Sequence, residues 1–201
     1  DRPRIQTAFK ALQDVSEWPN VIDLIRNLPP RLIPRAMLEK PKPDRAKGRE
    51  ALEKVKQALE PYPDLQIILF DESTHTSELA AAAVGVEVAQ IAKTLLFLAD
   101  GNPVLVVACG DRKINTKKLG KELDAKKVRF ADADSVLRYT GFAPGGVCPF
   151  GLDDSITICL DRSLYDYEVV YAAAGTANSA LPIAPERLRE ILAARIIEVS
   201  Q

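Results

Sequence analysis

Thr94-Leu95-Leu96-Phe97-Leu98-Ala99 and Val104-Leu105-Val106-Val107-Ala108-Cys109 flank the short segment Asp100-Gly101-Asn102. Two apolar runs of strand length joined through Asp-Gly predict a β-hairpin, because that dipeptide readily takes the positive φ values of a tight turn. Downstream, Asn115 or Thr116 caps a predicted helix ending near Leu123, and Val128-Arg129-Phe130 reads as a short strand. Asp132 or Asp134 caps another helix that stops at Gly141, and strands follow at Ser155–Leu160 and Glu168–Ala172. Pro185 sits in the first turn of a last helix, and Ile196-Ile197-Glu198-Val199 reads as an edge strand. Upstream, Ala46–Glu60 reads as a helix, Leu65–Phe70 as a buried-type strand, and Thr74 or Thr76 as the cap of a helix ending at Gly85. The sum is an α/β domain over residues 46–201, a mixed and largely antiparallel sheet surrounded by helices. Residues 1–45, with two apolar helical clusters and then Pro29, Pro30, Pro34, Pro41 and Pro43, read as a helical N-terminal extension.

Bulk composition narrows the function. A chain of 201 residues with 47% hydrophobic and 27% charged residues can bury a sizeable core. The net charge of −1 excludes a global basic field, so any nucleic-acid partner needs a local patch. Such a patch exists: Arg112, Lys113, Lys117, Lys118, Lys121, Lys126, Lys127 and Arg129 face only two acidic residues in that stretch, a net +6. No apolar run approaches the ~20 residues of a membrane span, and no apolar h-region follows Asp1-Arg2-Pro3-Arg4. The three cysteines, Cys109, Cys148 and Cys159, lack a C-x-x-C spacing, which points to reduced thiols, a cytoplasmic setting and no zinc site.

A second stretch points to chemistry. Gly141-Phe142-Ala143-Pro144-Gly145-Gly146-Val147-Cys148-Pro149-Phe150-Gly151 rules out a helix or central strand and predicts an ordered loop. Adjacent Gly145 and Gly146 let backbone N–H groups approach an anion or a polarised carbonyl, although a tight structural turn has the same composition. Lys93 stands at the head of an apolar strand and either snorkels to solvent or is held in a site, where it offers three donors. His75 invites pairing with Cys148 as a nucleophile, but nothing in the spacing demands it; a loop position near the cleft or on the surface suits His75 better. The pairs Asp153-Asp154 and Asp132/Asp134 suit capping and turns better than a metal.

Taken together, these stretches resemble the YbaK/prolyl-tRNA-synthetase-associated domain family, the trans-editing aminoacyl-tRNA deacylases. The resemblance rests on Thr76-Ser77-Glu78-Leu79-Ala80-Ala81 leading to Val84-Gly85-Val86, on Ile91-Ala92-Lys93-Thr94-Leu95-Leu96-Phe97, on Gly145-Gly146-Val147-Cys148-Pro149-Phe150-Gly151, and on Val170-Tyr171 through Gly175. It runs from about Ser73 to Arg195. It implies metal-independent and cofactor-free hydrolysis of a mischarged aminoacyl-tRNA ester carrying a small amino acid, by water or the terminal ribose hydroxyl. It implies tRNA as partner, with an aminoacyl-tRNA synthetase as a further candidate, and neither a membrane nor DNA. By resemblance, Lys93, Gly145 and Gly146 are the catalytic candidates. His75, Thr94, Val147, Cys148, Pro149, Gly175, Thr176 and Asn178 are the candidates for substrate binding. Lys113, Lys117, Lys118 and Lys121 are the candidates for tRNA contact. The late loop departs from familiar members, with Thr176-Ala177-Asn178-Ser179 in place of a more basic, glycine-rich run. The alternative reading is a binding module of the same fold, weak in turnover, acting in a synthetase complex.

Overall fold

A computed structural model describes residues 45–71, 74 and 76–201. The N-terminal extension and His75 lie outside these described residues. Chain order runs α1 (Arg45–Leu59), β1 (Ile68–Leu69), α2 (Ser77–Val84), β2 (Ile91–Ala99), β3 (Asn102–Cys109), α3 (Thr116–Leu123), β4 (Val128–Phe130) and α4 (Ala133–Thr140). Then come β5 (Thr157–Asp161), β6 (Val170–Ala172), β7 (Ser179–Ile183), α5 (Pro185–Leu192) and β8 (Arg195–Ile197). Short 3-10 turns precede β2 and follow β5.

The sheet is mixed, ordered β1-β7-β6-β2-β3-β5-β8, with β4 as a second partner of β2. The β2–β3 hairpin turns on Asp100 and Gly101, both at positive φ (49° and 92°), as its sequence predicts. The Asp100 carboxylate also accepts the Lys126 and Lys127 N–H groups at 2.9 and 2.8 Å, which docks the approach to β4 on the hairpin end. The pairs β2–β6, β3–β5 and β5–β8 are parallel, more than hairpin-length links alone suggest.

Residues 95–99 of β2 and 104–109 of β3 are apolar throughout because both their faces are covered. Ala92, Leu96, Leu98, Leu105 and Val107 pack on one face with Ala51, Val55 and Leu59 of α1 and with Phe142, Cys148 and Phe150 of the glycine loop. Phe97, Ala99, Val104 and Val106 pack on the other, against Leu119 of α3. Asn115 caps α3, accepting from the Lys117 and Lys118 N–H groups, and Asp132 caps α4 through the Ser135 N–H. Thr76 caps α2.

Asp161 ends β5 fully buried. Its carboxylate accepts the N–H groups of Ser163 (3.0 Å), Val199 (2.9 Å) and Ser200 (3.0 Å), tying the last residues of the chain to the end of β5.

Two sequence expectations need correction. The run Leu65–Phe70 is not a buried strand; only Ile68 and Leu69 pair, at an edge, with Leu69 57% exposed. Leu65 and Ile67 instead lean on the core from outside, and a short apolar run reads the same in either case. Ser179–Ile183 forms β7, a strand beyond those the sequence predicts. Pro182 sits within it opposite Tyr171, and no β1 residue is paired opposite Pro182, so its missing N–H costs no ladder bond there. Among the described residues no helix is long and apolar enough to cross a membrane.

Candidate active site

β2 has a full partner on one edge only. Along its other edge β6 pairs at Ile91 and Ala92, and β4 pairs from Phe97 to Ala99. Between them Lys93, Thr94 and Leu95 have no strand beside them. Leu96 turns its carbonyl to this edge, where it accepts the Ala131 N–H at 3.0 Å. Backbone polar groups alternate sides along a strand, so the Thr94 N–H and C=O face the same open edge. A cavity of about 370 Å³ occupies the gap. Its walls are the start of α2 (Thr76, Ser77, Ala80), the β2 segment from Ile91 to Leu95, Gly145 and Val147 of the glycine loop, and the ends of β6 and β7.

Lys93 does not snorkel freely. Its Nζ donates to the carbonyl oxygens of Gly110 (3.1 Å) and Arg112. Burial pulls its pKa below that of a free lysine, with Asp111, Cys109 and Glu78 acting in the opposite direction. An ammonium has three N–H donors, so one remains for a ligand. Gly110 is a residue the sequence reading passed over. A Cβ there would stand 2.4 Å from the Val88 carbonyl and 2.8 Å from Ser77 Cβ, so only glycine brings this carbonyl to Lys93 beside α2.

The glycine loop is held from behind. Gly146 donates its own N–H to Ala143 at 3.0 Å, closing a turn, and its Cα faces Thr176, where an added Cβ would come within 3.0 Å of backbone. Gly145, at φ 86°, and Val147 are the members of the loop that reach the cavity. The two loops are in turn backed by α1. Lys54 Nζ donates to the Thr140 carbonyl at 3.0 Å and lies 4.9 Å above the Phe142 ring. Gly175, at φ 93°, presses so closely on α1 that a Cβ would lie 2.8 Å from the Ala51 carbonyl.

The structure therefore brings Lys93, Thr94, Gly145 and Val147 together around one cavity. It places Gly146, Gly175 and Thr176 in the packing behind it. Cys148 is fully buried in the core, and desolvation pushes its thiol up to about 12, so it stays protonated at neutral pH. Pro149 is outside the cavity lining. Asn178 holds Phe70, its side-chain amide donating to the Phe70 carbonyl at 3.0 Å. Lining residues the sequence did not single out include Ser77, Tyr171 and Ser179. The Ser179 hydroxyl is committed to the late loop, accepting from Ala174 and Thr176 N–H and donating to the Thr176 carbonyl. Among the described residues no cluster of His, Cys, Asp or Glu could hold a metal ion. Since Cys148 carries no thiolate, Cys148→Ser is expected to leave the rate of any reaction in this cavity within about threefold of wild type, with the loss appearing as a lower melting temperature. A dead but folded variant, measured by steady-state turnover, would restore a covalent role.

The model of the aminoacyl-tRNA editing domain matches residues 71–191. The chain belongs to this family. It is 42% identical over 122 residues to the uncharacterized protein YwhH of Bacillus subtilis, covering 60% of this chain and 77% of that one. It is 26% identical over 151 residues to EbsC of Enterococcus faecalis, named as a candidate Cys-tRNA(Pro)/Cys-tRNA(Cys) deacylase, covering 75% and 92%. A proline–tRNA ligase of Lactobacillus gasseri matches at 40% over 99 residues, 49% of this chain but only 18% of the ligase. The solved structure of a candidate trans-editing enzyme for prolyl tRNA synthetase superposes with a TM-score of 0.71 at 31% identity, covering 75% of this chain and 97% of that one. Membership of the editing-domain family implies an aminoacyl-tRNA substrate, and the mixed α/β architecture described above is that of this fold.

Proposed function

We propose that this editing domain hydrolyses the ester of mischarged tRNA carrying a small amino acid. The observation that carries the reading is the cavity itself, with the tethered Lys93 ammonium on one wall and Gly145 and Val147 on another. The remaining Lys93 N–H and backbone N–H groups of the loop are suited to the ester carbonyl, whose oxygen gains negative charge as the carbonyl carbon becomes tetrahedral. Water attacks that carbon, and the neighbouring ribose hydroxyl is placed to accept and relay its proton. The ester C–O bond then breaks, the ribose oxygen takes up a proton, and the products are uncharged tRNA and the amino acid. Ala80, Ala92, Ala172, Ala173 and Ala180 give the cavity an apolar wall suited to a small aliphatic side chain. A synthetase pocket gains only ~1–3 kcal/mol per methylene, so smaller amino acids leak through and a second, size-limited site removes them. Incubation with a panel of aminoacyl-tRNAs is expected to show cleavage of esters of small amino acids and survival of bulky ones. Release no faster than spontaneous hydrolysis across the whole panel would overturn the reading.

The tRNA is drawn in by the basic stretch. Lys113, Lys117, Lys118 and Lys121 are all exposed, and Lys117 and Lys121 lie four residues apart on one face of α3. Reversing Lys117 and Lys121 to Glu is expected to weaken tRNA binding and to flatten the slope of log affinity against log salt by about one unit or slightly more, at roughly 0.7 per phosphate. Hydrolysis of an aminoacyl-adenosine, which lacks those phosphates, should hardly change. Equal slopes across a salt series would reduce these lysines to a solvated face.

A further inference from the structure

Phe130 is 58% exposed although it is the last residue of a strand paired to the centre of the sheet. Its ring stands edge-on to Phe97, with centroids 5.4 Å apart and planes at 79°, so its orientation is fixed by the core. Side chains alternate along a strand, so Phe97 shares its face of the sheet with Leu95 and Lys93. Phe97 lies four residues from Lys93, about 13 Å at ~3.3 Å per residue. The same face carries α3, whose Leu119 packs in the Phe97 cluster and whose Gly120 sits against Val128 of β4. Exposed Lys126 and Lys127 lead directly into the strand that bears Phe130, and exposed Lys117 and Lys121 lie on the helix packed beside it.

We propose that Phe130 is a stacking platform for an unpaired base of the RNA, close to the nucleotide whose ester occupies the cavity; the proposal rests on the deacylase reading above. A protein partner would seek a continuous apolar patch. The other exposed large apolar side chains among the described residues lie instead on β1, α2, α4, β8 and the turn before β6. A single rigid aromatic face with lysines on the neighbouring helix and strand approach matches single-stranded nucleic acid, where bases stack on side chains while phosphates meet lysines. A charged tRNA presents such bases, because its acceptor end is unpaired next to the esterified adenosine.

The test measures affinity for an uncharged CCA trinucleotide and for whole tRNA, together with hydrolysis of aminoacyl-tRNA and of aminoacyl-adenosine. Phe130→Ala is expected to weaken trinucleotide and tRNA binding about tenfold or more and to raise KM for aminoacyl-tRNA to match, while aminoacyl-adenosine is cleaved as by wild type. Phe130→Trp should restore binding and show quenching of its emission, relative to wild type, on addition of the trinucleotide. Phe130→Leu, which still covers Phe97, should not restore it. Unchanged affinity in Phe130→Ala, or full affinity in Phe130→Leu, would overturn the proposal and leave Phe130 as a cover for Phe97. Because the trinucleotide measurement needs no turnover, a wild-type protein that cleaves no ester refutes the deacylase reading and still leaves stacking open to measurement.

Discussion

Lys93→Ala is expected to slow deacylation by at least ~10²-fold, the scale on which one preorganised donor to a developing oxyanion acts. The fold should persist, since the removed ammonium serves only the Gly110 and Arg112 carbonyls, which lie at an accessible surface turn where water can replace it. Lys93→Arg should recover little, because a planar fork cannot place two N–H groups on these carbonyls and a third in the cavity as an ammonium does. A pH profile adds a second reading. The ammonium is the working form and burial lowers its pKa, so activity should fall on the alkaline side, starting below the ~10.4 of an ordinary lysine. Turnover by a folded Lys93→Ala protein close to that of wild type, after correction for spontaneous ester hydrolysis, would remove Lys93 from the mechanism.

The largest effect on stability is expected at Asp161. Asp161→Ala withdraws the acceptor of three N–H groups, those of Ser163, Val199 and Ser200. The Val199 N–H is buried and costs ~1–3 kcal/mol when left unpaired, while the part-buried Ser163 and Ser200 N–H groups add less, so a loss of about 3 kcal/mol is expected. At roughly 2–4 °C per kcal/mol for a chain of this size, the melting temperature should drop by about 6–12 °C. Burial alone would raise the carboxyl's pKa, but the hydrogen bonds from Ser163, Val199 and Ser200 together outweigh it and hold the pKa below the ordinary aspartate value. The carboxylate therefore contributes stability fully present above the unfolded pKa of ~3.9 and lost as pH falls through the lower folded value. Thermal melts in acid should show wild type losing this advantage over Asp161→Ala as that window is crossed. A constant difference at all pH values would mean that packing alone accounts for the loss.

The parts of the fold with a local signal were legible in the sequence. Asp100-Gly101 announces its turn because both residues need positive φ, and Asn115 and Asp132 announce caps because their side chains replace missing helix acceptors. Lys93 and the glycine loop could be named for the same reason: a charge beside an apolar strand and paired glycines each break a local rule. What the chain does not show locally is which neighbour an element meets. The open edge of β2 exists because its pairing with β6 stops at Ala92 and its pairing with β4 begins at Phe97, a fact of three distant segments. Cys148 belongs to a functional motif yet points into the core, and one position along a loop is below what composition resolves. Gly110 matters through Ser77 and Val88, which approach it from other elements. Phe130 looks in sequence like any strand residue; its exposure follows from a place at the end of a short strand with one partner.

The helix α1 ends at Leu59, before the family match begins at residue 71. Yet Lys54 grips the end of α4, and the Ala51 carbonyl lies where only a glycine at 175 lets the late loop close. This chain cut at the family boundary would keep the cavity lining and lose the helix that backs both of its loops. Such an excised piece would expose Val55's contacts on the sheet and let both loops drift, trading a shaped pocket for a floppy mouth. A piece of this chain that starts at Arg45 keeps that backing helix, since α1 clusters with the sheet and loops in one compact unit.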